Sequence, residues 1–282
     1  ITGMYPASIG SHFMRCQIQR PAHVKCFTEY LRDAGYYTSN AVKTDYNFAV
    51  PKAAWDGLSR DAHWRNRPAG KPFFAVFNNE ITHESRIRLN GAEHRKLTPN
   101  VPAERRVDPA KVPVPGYWPD TPAVREQIVN FYECVTQFDH DAGKILQQLK
   151  DDGLADNTIV FIWSDHGIGL PRSKRWNYES GAHAPLIVYI PPKFRANGQG
   201  KPGLVDNQLV SFLDLAPTVL NLAGVEVPKH FQGRAFLGPK LTPPREYIYS
   251  CHDRMDERYE TIRATRDKRY RYIRNYQYFK PY

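Results

Sequence analysis

The sequence predicts an α/β fold, a three-layer sandwich in which helices flank a mostly parallel central sheet. Apolar, β-branched runs of strand length alternate along the chain with segments of helical periodicity. An acid, an imidazole and a glycine follow one such run at 163–167 (WSDHG), where the strand should end. In open α/β sheets, ligands bind at the carboxyl ends of the strands. We therefore expect Asp165 and His166 to lie at a binding site and to hold a metal ion.

Three segments carry helix signals. Helical periodicity covers 24–34 and stops at a glycine. A long helix is expected to begin with Thr121 at the N-cap and Pro122 at the first helical position, and to end near Gly153. A further helix is expected over 214–224.

Uninterrupted apolar runs predict strands at 73–77 (FFAVF), 157–162 (NTIVFI) and 186–190 (LIVYI), and we expect the first two of these to be buried. A short strand is expected at 36–39. The Pro-rich, charged segment 90–120 predicts a long surface loop over one face.

The pattern changes to short strands from Tyr247 onward, which predicts the beginning of a small C-terminal sheet. We therefore expect an α/β domain over 1–240 and the start of a sheet subdomain over 241–282. A length of 282 residues accommodates this arrangement. The four cysteines are widely spaced, which favours free and mostly buried thiols.

The formal net charge of +10 indicates a polyanionic partner, and much of it comes from 86–106 and 263–280. Alternating tyrosine and basic residues in the tail favour a two-faced strand over a groove that binds nucleic acid. No motif of a nucleic-acid-binding fold supports the second alternative. A basic rim suits a sulfated glycan equally well. No apolar run approaches the roughly 20 residues that span a membrane, so neither nucleic acid nor a membrane is an expected partner.

Six short motifs occur in the order found in type I sulfatases. They are 1–6 (ITGMYP), 43–45 (KTD), 82–84 (THE), 164–167 (SDHG), 174–181 (KRWNYESG) and 214–218 (DLAPT). The chain thus resembles a formylglycine-dependent sulfatase of the alkaline phosphatase superfamily over essentially its whole length. The segments 43–47 and 82–86 suggest the heparan N-sulfatase (sulfamidase) branch, with bacterial relatives.

The resemblance implies a fold, a nucleophile and a metal. The fold is the alkaline phosphatase-like sandwich with a smaller C-terminal sheet domain. The nucleophile is a formylglycine made from a C/S-x-P-x-R motif, and one calcium ion polarises the sulfate. No Cys here is followed by x-Pro-x-Arg, and the family's paired aspartates are missing too. We therefore expect a fragment without its N-terminal strand and nucleophile, inactive and poorly soluble by itself.

The resemblance also implies roles for individual residues. Lys43 and Lys174 contact the sulfate oxygens, and His83 protonates the departing oxygen or amine, which typically contributes about 10²–10⁴-fold. Asp165 and His166 hold the calcium, although many sulfatases have Asn at the second position and calcium prefers oxygen ligands.

Two further positions are predicted to bind substrate with alternatives left open. Asp45 stands where many sulfatases have a histidine, and it either recognises the amino sugar or neutralises Lys43. His183, together with Tyr178 and Glu179, either orients the lysine at 174, lines the substrate pocket, or merely packs in a loop.

Three functions follow. The first is hydrolysis of sulfate esters or sulfamates, most of all N-sulfoglucosamine in heparan-type glycans, after modification by a formylglycine-generating or sulfatase-maturating enzyme. The second is a metal-dependent phosphodiesterase or phosphonate hydrolase, which the identity of the nucleophile distinguishes from the first. The third is non-catalytic binding of polyanions, weakened by salt. By analogy alone, we expect a periplasmic or extracellular location, or a lysosomal one in an animal.

Overall fold

The computed structural model describes residues 1–279. The chain divides into two compact units, of which the first combines Ile1–Asn78 with the described residues from Lys193 onward. The second unit is Asn79–Pro192. Each unit buries apolar side chains of its own.

Helices and strands are interspersed along the chain as far as Leu222, and three consecutive strands follow. Over residues 1–279, the α-helices are α1 (Pro6–Ile9), α2 (Phe27–Asp33), α3 (Glu84–Ile87), α4 (Gly91–Leu97), α5 (Pro122–Asp151), α6 (Glu179–Ala182) and α7 (Leu215–Leu222). Over the same residues, the strands are β1 (Tyr37–Ala41), β2 (Gly57–Leu58), β3 (Phe73–Phe77), β4 (Val160–Trp163), β5 (Leu186–Tyr189), β6 (Ile248–Met255), β7 (Arg258–Arg266) and β8 (Arg271–Asn275).

The first unit contains a parallel sheet with the strand order β2-β1-β3. The central strand β1 pairs with β3 along its whole length, from Tyr37 opposite Phe73 to Ala41 opposite Phe77. Its first four residues are buried. The parallel sheet that the sequence predicted is therefore confirmed, and β1 confirms the short strand expected after the first helix.

Two helices of the first unit pack against each other. Phe27 and Leu31 of α2 form a buried cluster with Ala216 and Leu220 of α7. The helix α2 begins later than the predicted start of 24–34, because Glu29 accepts a hydrogen bond from the backbone N–H of the N-cap, Cys26, at 2.9 Å.

The C-terminal strands form an antiparallel sheet of order β6-β7-β8. Exposed Tyr272 and Arg274 alternate with partly buried Ile273 on β8, so the strand interpretation of the basic tail is confirmed for the described residues. The predicted boundary at residue 240 stays a prediction, and Lys280, the last residue of the predicted basic tail, lies outside the described residues.

The long helix α5 organises the second unit. It begins as predicted, with the Thr121 hydroxyl accepting a hydrogen bond from the backbone N–H of Val124 at 3.3 Å. Ile128, Val129 and Cys134 of this helix pack in a buried cluster with Ile87 at the end of α3. This packing fixes α3, which follows directly after His83.

Most residues of 90–120 are exposed, as predicted for a surface segment, but the predicted long loop is wrong where short helices form. The segment contains α4, capped by the Asn90 side chain, and two short 3₁₀ turns. His94 is buried, with Nε2 at 3.2 Å from the buried carboxylate of Glu133 on α5. Arg106 binds the same carboxylate. A buried charge needs such partners, so this segment packs against α5 instead of lying loosely over a face.

The predicted burial of the strands over 73–77 and 157–162 is also wrong. All five residues of β3 are only partly buried. The strand β4 begins at Val160, pairs antiparallel with β5, and leaves Trp163 40% exposed. Because β3 and β4 each pair with a single neighbour in the described chain, one edge of each strand stays open.

All four cysteines are free, as predicted. Cys26 and Cys134 are buried, and burial raises the pKa of each thiol to about 12. Neither is therefore a thiolate nucleophile at neutral pH. Cys16 and Cys251 are only half-buried. None of the helices within 1–279 combines the length and apolar character needed to cross a bilayer.

A buried ion pair anchors the start of α7. The carboxylate of Asp214, 2% exposed, accepts hydrogen bonds from Nη2 and Nε of Arg245 at 2.6 and 3.1 Å. It also accepts the backbone N–H groups of Ser211 and Arg234. These contacts compensate the desolvation of the carboxylate.

Replacing this carboxylate should destabilise the first unit. We expect Asp214→Ala to lower the free energy of unfolding by about 3–5 kcal/mol, because it leaves the Arg245 guanidinium buried without its partner. Urea unfolding measures the change. The control is Asp33→Ala, which breaks an exposed ion pair with Lys25 (3.2 Å) and should cost less than about 1 kcal/mol. Equal decreases in the free energy of unfolding of the two variants would contradict the prediction.

Candidate active site

Lys174 and His83, both predicted for the site, lie together in the second unit. They stand 91 positions apart in the chain, and Nζ of Lys174 is 3.3 Å from Nε2 of His83. The ammonium is also 3.3 Å from Oε1 of Glu84. With a side chain that is 17% exposed, Lys174 is fixed and yet reachable from solvent.

Glu84 holds the cations of the site in place. Its two carboxylate oxygens accept hydrogen bonds from the two terminal nitrogens of Arg175, each at 2.9 Å. Hydrogen bonding from Arg175, together with the positive charges of Lys174 and Arg175, lowers the pKa of Glu84 to about 2. The carboxylate is therefore ionised at neutral pH, and it stabilises Lys174 in its ammonium form.

The orientation of His83 is set at the start of α3. Nδ1 lies 2.9 Å from the hydroxyl of Ser85 and 3.3 Å from its backbone nitrogen. An ammonium can only donate, so Nε2 accepts from Lys174. The backbone N–H of Ser85 points to Nδ1, so the His83 side chain caps the start of α3. His83 is thus held at both ring nitrogens.

Two glycines allow the loop that carries Lys174 to approach its neighbours. A Cβ at Gly169 would lie 2.4 Å from Cβ of Glu84. A Cβ at Gly181 would lie 2.0 Å from the carbonyl oxygen of Ser173. Both positions exclude any larger residue without movement of the backbone, so the glycines in this region serve the close packing of the site.

Asp165 and His166 follow β4, as predicted for metal ligands. Nδ1 of His166 is 2.6 Å from the carbonyl oxygen of Gly167, which only accepts, so Nδ1 carries a proton. Nε2 lies 3.6 Å from a carboxylate oxygen of Asp165, and a cation between these two atoms would stabilise the pair. A histidine that donates its other N–H to a carbonyl is typical of metal sites. The pair therefore fits a metal ion, although no group of three or more metal-ligating side chains occurs among residues 1–279.

Lys43 and Asp45 belong to the first unit. Their side chains are 40% and 80% exposed, and the ammonium lies 3.6 Å from the carboxylate. The side-chain amide of Asn40 donates to the carbonyl oxygen of Lys43 at 2.8 Å, which fixes the backbone after β1. An exposed ion pair of this kind contributes about 0–1 kcal/mol. The substrate-binding roles of both residues stay predictions.

His183 follows α6 and is 72% exposed, with Nδ1 at 3.1 Å from a carboxylate oxygen of Glu179. Tyr178 contacts other partners: its ring stacks on Trp176 and carries the guanidinium of Arg172 over one face. A substrate-binding role for His183 stays a prediction.

Sequence reasoning missed the parts played by Glu84, Ser85 and Arg175. Glu84 and Ser85 stand directly after His83 in the motif 82–86, and that adjacency is the signal that could have marked them. Arg175 looked like one more charge in a basic loop. Its pairing with Glu84 joins positions 91 apart, which local sequence patterns do not reveal.

The chain belongs to the sulfatase family, because the sulfatase family model matches residues 58–225. A second model, the C-terminal region of N-sulphoglucosamine sulphohydrolase, matches 169–282. The resemblance inferred from the six motifs is thereby confirmed.

Two relatives illustrate the similarity. An ulvan-active sulfatase of Formosa agariphila is 39% identical over 98% of this chain and 52% of its own length. Human N-sulphoglucosamine sulphohydrolase is 29% identical over 62% of this chain and 36% of its own length. The chain thus spans about half the length of the first relative and about a third of the second.

Solved structures show the same fold at low sequence identity. A protein in complex with its substrate D-glucosamine-2-N,6-O-disulfate matches with a TM-score of 0.69 at 18% identity, over 99% of this chain and 78% of that protein. A phosphonate monoester hydrolase from Silicibacter pomeroyi matches with a TM-score of 0.68 at 18% identity, over 98% of this chain and 76% of that protein. The predicted alkaline phosphatase-like α/β fold is confirmed.

The low pKa of Glu84 predicts a stability that depends on pH. The pKa is about 2 in the folded protein against an ordinary value of 4.5, so the folded state binds fewer protons than the unfolded state between these values. The stability that Glu84 contributes is present above about pH 4.5 and is lost as the pH falls toward 2. Wild type should therefore exceed Glu84→Gln in stability near pH 7, and the difference should shrink between pH 4.5 and 2.

Urea unfolding at several pH values measures this difference. Glu226→Gln, which removes a carboxylate from an exposed residue, is the matched control and should change the stability near pH 7 much less. A difference between wild type and Glu84→Gln that stays constant from pH 7 to 3 would show that the carboxylate is not held by its cations.

Proposed function

We propose that this chain supplies the sulfate-binding part of a sulfatase active site, in a protein that hydrolyses sulfate esters or sulfamates of glycans. The observation that carries the proposal is the ammonium of Lys174, held between Glu84 and His83 in a chain that belongs to the sulfatase family. A fixed, partly desolvated cation is the group that the negative charge on a sulfate requires.

Lys174 has one donor left for a substrate. An ammonium has three N–H groups, of which one points to Glu84 and one to His83. The third has no partner among the residues that the structure describes. We assign it to a sulfate oxygen, where it would stabilise the charge that develops as the sulfur is attacked.

The leaving group needs a proton. In the proposed reaction, the bond from sulfur to the ester oxygen or sulfamate nitrogen breaks while sulfur bonds to the nucleophile, and the departing atom takes up a proton. We assign the donor to the pair of Lys174 and His83, in which a proton lies between Nζ and Nε2. Ser85 at Nδ1 keeps the ring in place for this transfer.

The metal and the nucleophile are proposals that follow from the family. Asp165 and His166 would hold the metal, which we propose to be calcium and which would polarise the sulfate. A formylglycine would supply the nucleophile, and we place it on a residue outside the 282 of this chain, introduced by a maturating enzyme.

We propose an N-sulfated amino sugar as the substrate. Three observations support it: the match of 169–282 to the C-terminal model of N-sulphoglucosamine sulphohydrolase, the human relative of the same name, and the structural neighbour in complex with a sulfated glucosamine. The net charge of +10 also favours a polyanionic glycan.

A phosphonate or phosphodiester substrate is the second candidate. His166 favours it, because an imidazole ligand suits zinc or manganese better than calcium. The fold shared with a phosphonate monoester hydrolase is compatible with it. The ratio of kcat/KM for a sulfated glucosamine to kcat/KM for a phosphonate monoester, measured on one preparation, distinguishes the two candidates.

Removing the Lys174 ammonium should impair sulfate release. In the protein that carries its nucleophile, we expect Lys174→Ala to lower kcat/KM for D-glucosamine-2-N,6-O-disulfate by about 10²–10³-fold, the loss typical of a group that stabilises the transition state. Liberated inorganic sulfate is the readout. Lys150→Ala, at the exposed end of α5, is the control and should retain full activity. Turnover by Lys174→Ala at the wild-type rate would exclude the role that we assign to Lys174.

Asp165 should be required for metal binding. We expect Asp165→Asn to weaken calcium binding by about tenfold or more, since the variant loses the only charged oxygen ligand of the pair. Equilibrium dialysis with calcium, followed by elemental analysis, measures bound metal, and Asp156→Asn in an exposed turn is the control. Retention of zinc or manganese in place of calcium by the wild type would favour the second candidate function.

A further inference from the structure

The Arg172 guanidinium, in the loop of Lys174, lies over the rings of two tyrosines. The Arg172 guanidinium carbon is 4.8 Å from the ring centre of Tyr117 and 4.7 Å from that of Tyr178. The Tyr178 ring also stacks on Trp176, with ring centres 5.8 Å apart. We call these four residues the Arg172 stack.

The backbone supports this arrangement. Arg172 has a φ of 65°, in the left-handed region that residues other than glycine rarely adopt. Its carbonyl oxygen accepts a hydrogen bond from the hydroxyl of Ser180 at 2.6 Å. On the other side of the stack, Trp118 donates its indole N–H to the carbonyl of Pro171 at 3.1 Å, which ties the segment of Tyr117 to this loop. The guanidinium is therefore held before any ligand arrives.

The donors of this guanidinium are not used within the protein. A guanidinium has five N–H donors around its edge, and aromatic rings cover only its faces. Within residues 1–279, the Arg172 guanidinium makes no hydrogen bond and no ion pair. Arg175 differs, because both of its terminal nitrogens bind Glu84. The two arginines of this loop thus differ in their contacts, and Arg172 is exposed to solvent.

We propose that Arg172 is a specificity-determining residue, which binds an oxyanion on the sugar next to the one whose sulfate contacts Lys174. The planar fork of a guanidinium matches a carboxylate or a sulfate with two parallel hydrogen bonds. Arg172 stands two residues before Lys174, so one extended glycan can reach both cations. Because the tyrosines restrict its side chain beforehand, binding loses less conformational entropy than at a free arginine. The inference rests on the proposed function, because it takes the contact between Lys174 and the first sulfate from there.

The test compares two forms of one disaccharide, N-sulfated glucosamine linked to a uronic acid, with the uronic carboxylate free or methyl-esterified. Titration calorimetry on the wild-type protein should show tighter binding of the free carboxylate. Arg172→Gln should weaken binding of the free carboxylate form by about 10- to 100-fold, which corresponds to the loss of a hydrogen-bonded charge pair. The affinity for the monosaccharide N-sulfated glucosamine should not change. A disaccharide with a sulfate on a neutral neighbouring sugar shows whether sulfate replaces carboxylate.

Two further variants separate recognition from structure. Arg95→Gln removes the same charge from an exposed position on α4 and should bind all probes like the wild type. Tyr117→Leu keeps the guanidinium but removes one ring, and should weaken binding of the free carboxylate less than Arg172→Gln does.

The outcomes divide clearly. If Arg172→Gln weakens the binding of the ester, the free acid and the monosaccharide equally, the proposal is overturned and Arg172 has a purely structural role. A wild type that binds ester and acid alike would also overturn it. Sulfate release is measured separately. If the protein releases no sulfate but its binding of the disaccharide still depends on Arg172, the proposed hydrolysis is rejected and the proposed subsite is retained.

Discussion

The carboxylate of Glu84 is the interaction on which the site depends. Lys174 and Arg175 are adjacent cations, and without a shared counter-ion they would repel each other and turn toward solvent. Glu84 binds Arg175 with both oxygens and contacts Lys174 with one of them. It thereby joins the start of α3 to the loop after β4. The backbone at Gly169 comes so close to Glu84 that a side chain there would collide with it.

The residues around the Glu84 carboxylate differ in their contacts. Arg175 is fully engaged and structural, whereas Lys174 keeps one N–H for a ligand. His83 receives a hydrogen bond from the same ammonium, and Ser85 holds its other nitrogen. The order of residues in the motif 82–86 thus places an imidazole, a counter-ion and a hydroxyl at one short helix start. A fixed arrangement of this kind needs little reorganisation when charge develops on a substrate.

Family membership and geometry support the function in different ways. Membership rests on sequence, with the sulfatase model covering residues 58–225, and it supports the proposed chemistry of sulfate transfer. The geometry adds which atoms are available to a ligand: a third N–H on Lys174, Nε2 of His166 beside the Asp165 carboxylate, and the N–H donors of Arg172. This fold is shared with a protein in complex with a sulfated glucosamine and with a phosphonate monoester hydrolase, so the fold alone does not distinguish the two proposed substrate classes.

The sequence by itself determined the elements with strong local signals and the residues within ordered motifs. Thr121 and Pro122 predicted the start of α5, because capping acts over a few residues. Through the family resemblance, the ordered motifs predicted that Lys174 and His83 share a site, and the structure brings these two side chains together. Tertiary structure decided the rest. Arg175, which binds both oxygens of Glu84, lies 91 positions away, and the packing of 90–120 depends on the buried carboxylate of Glu133. Such contacts form only when distant segments pack together, so no local pattern encodes them.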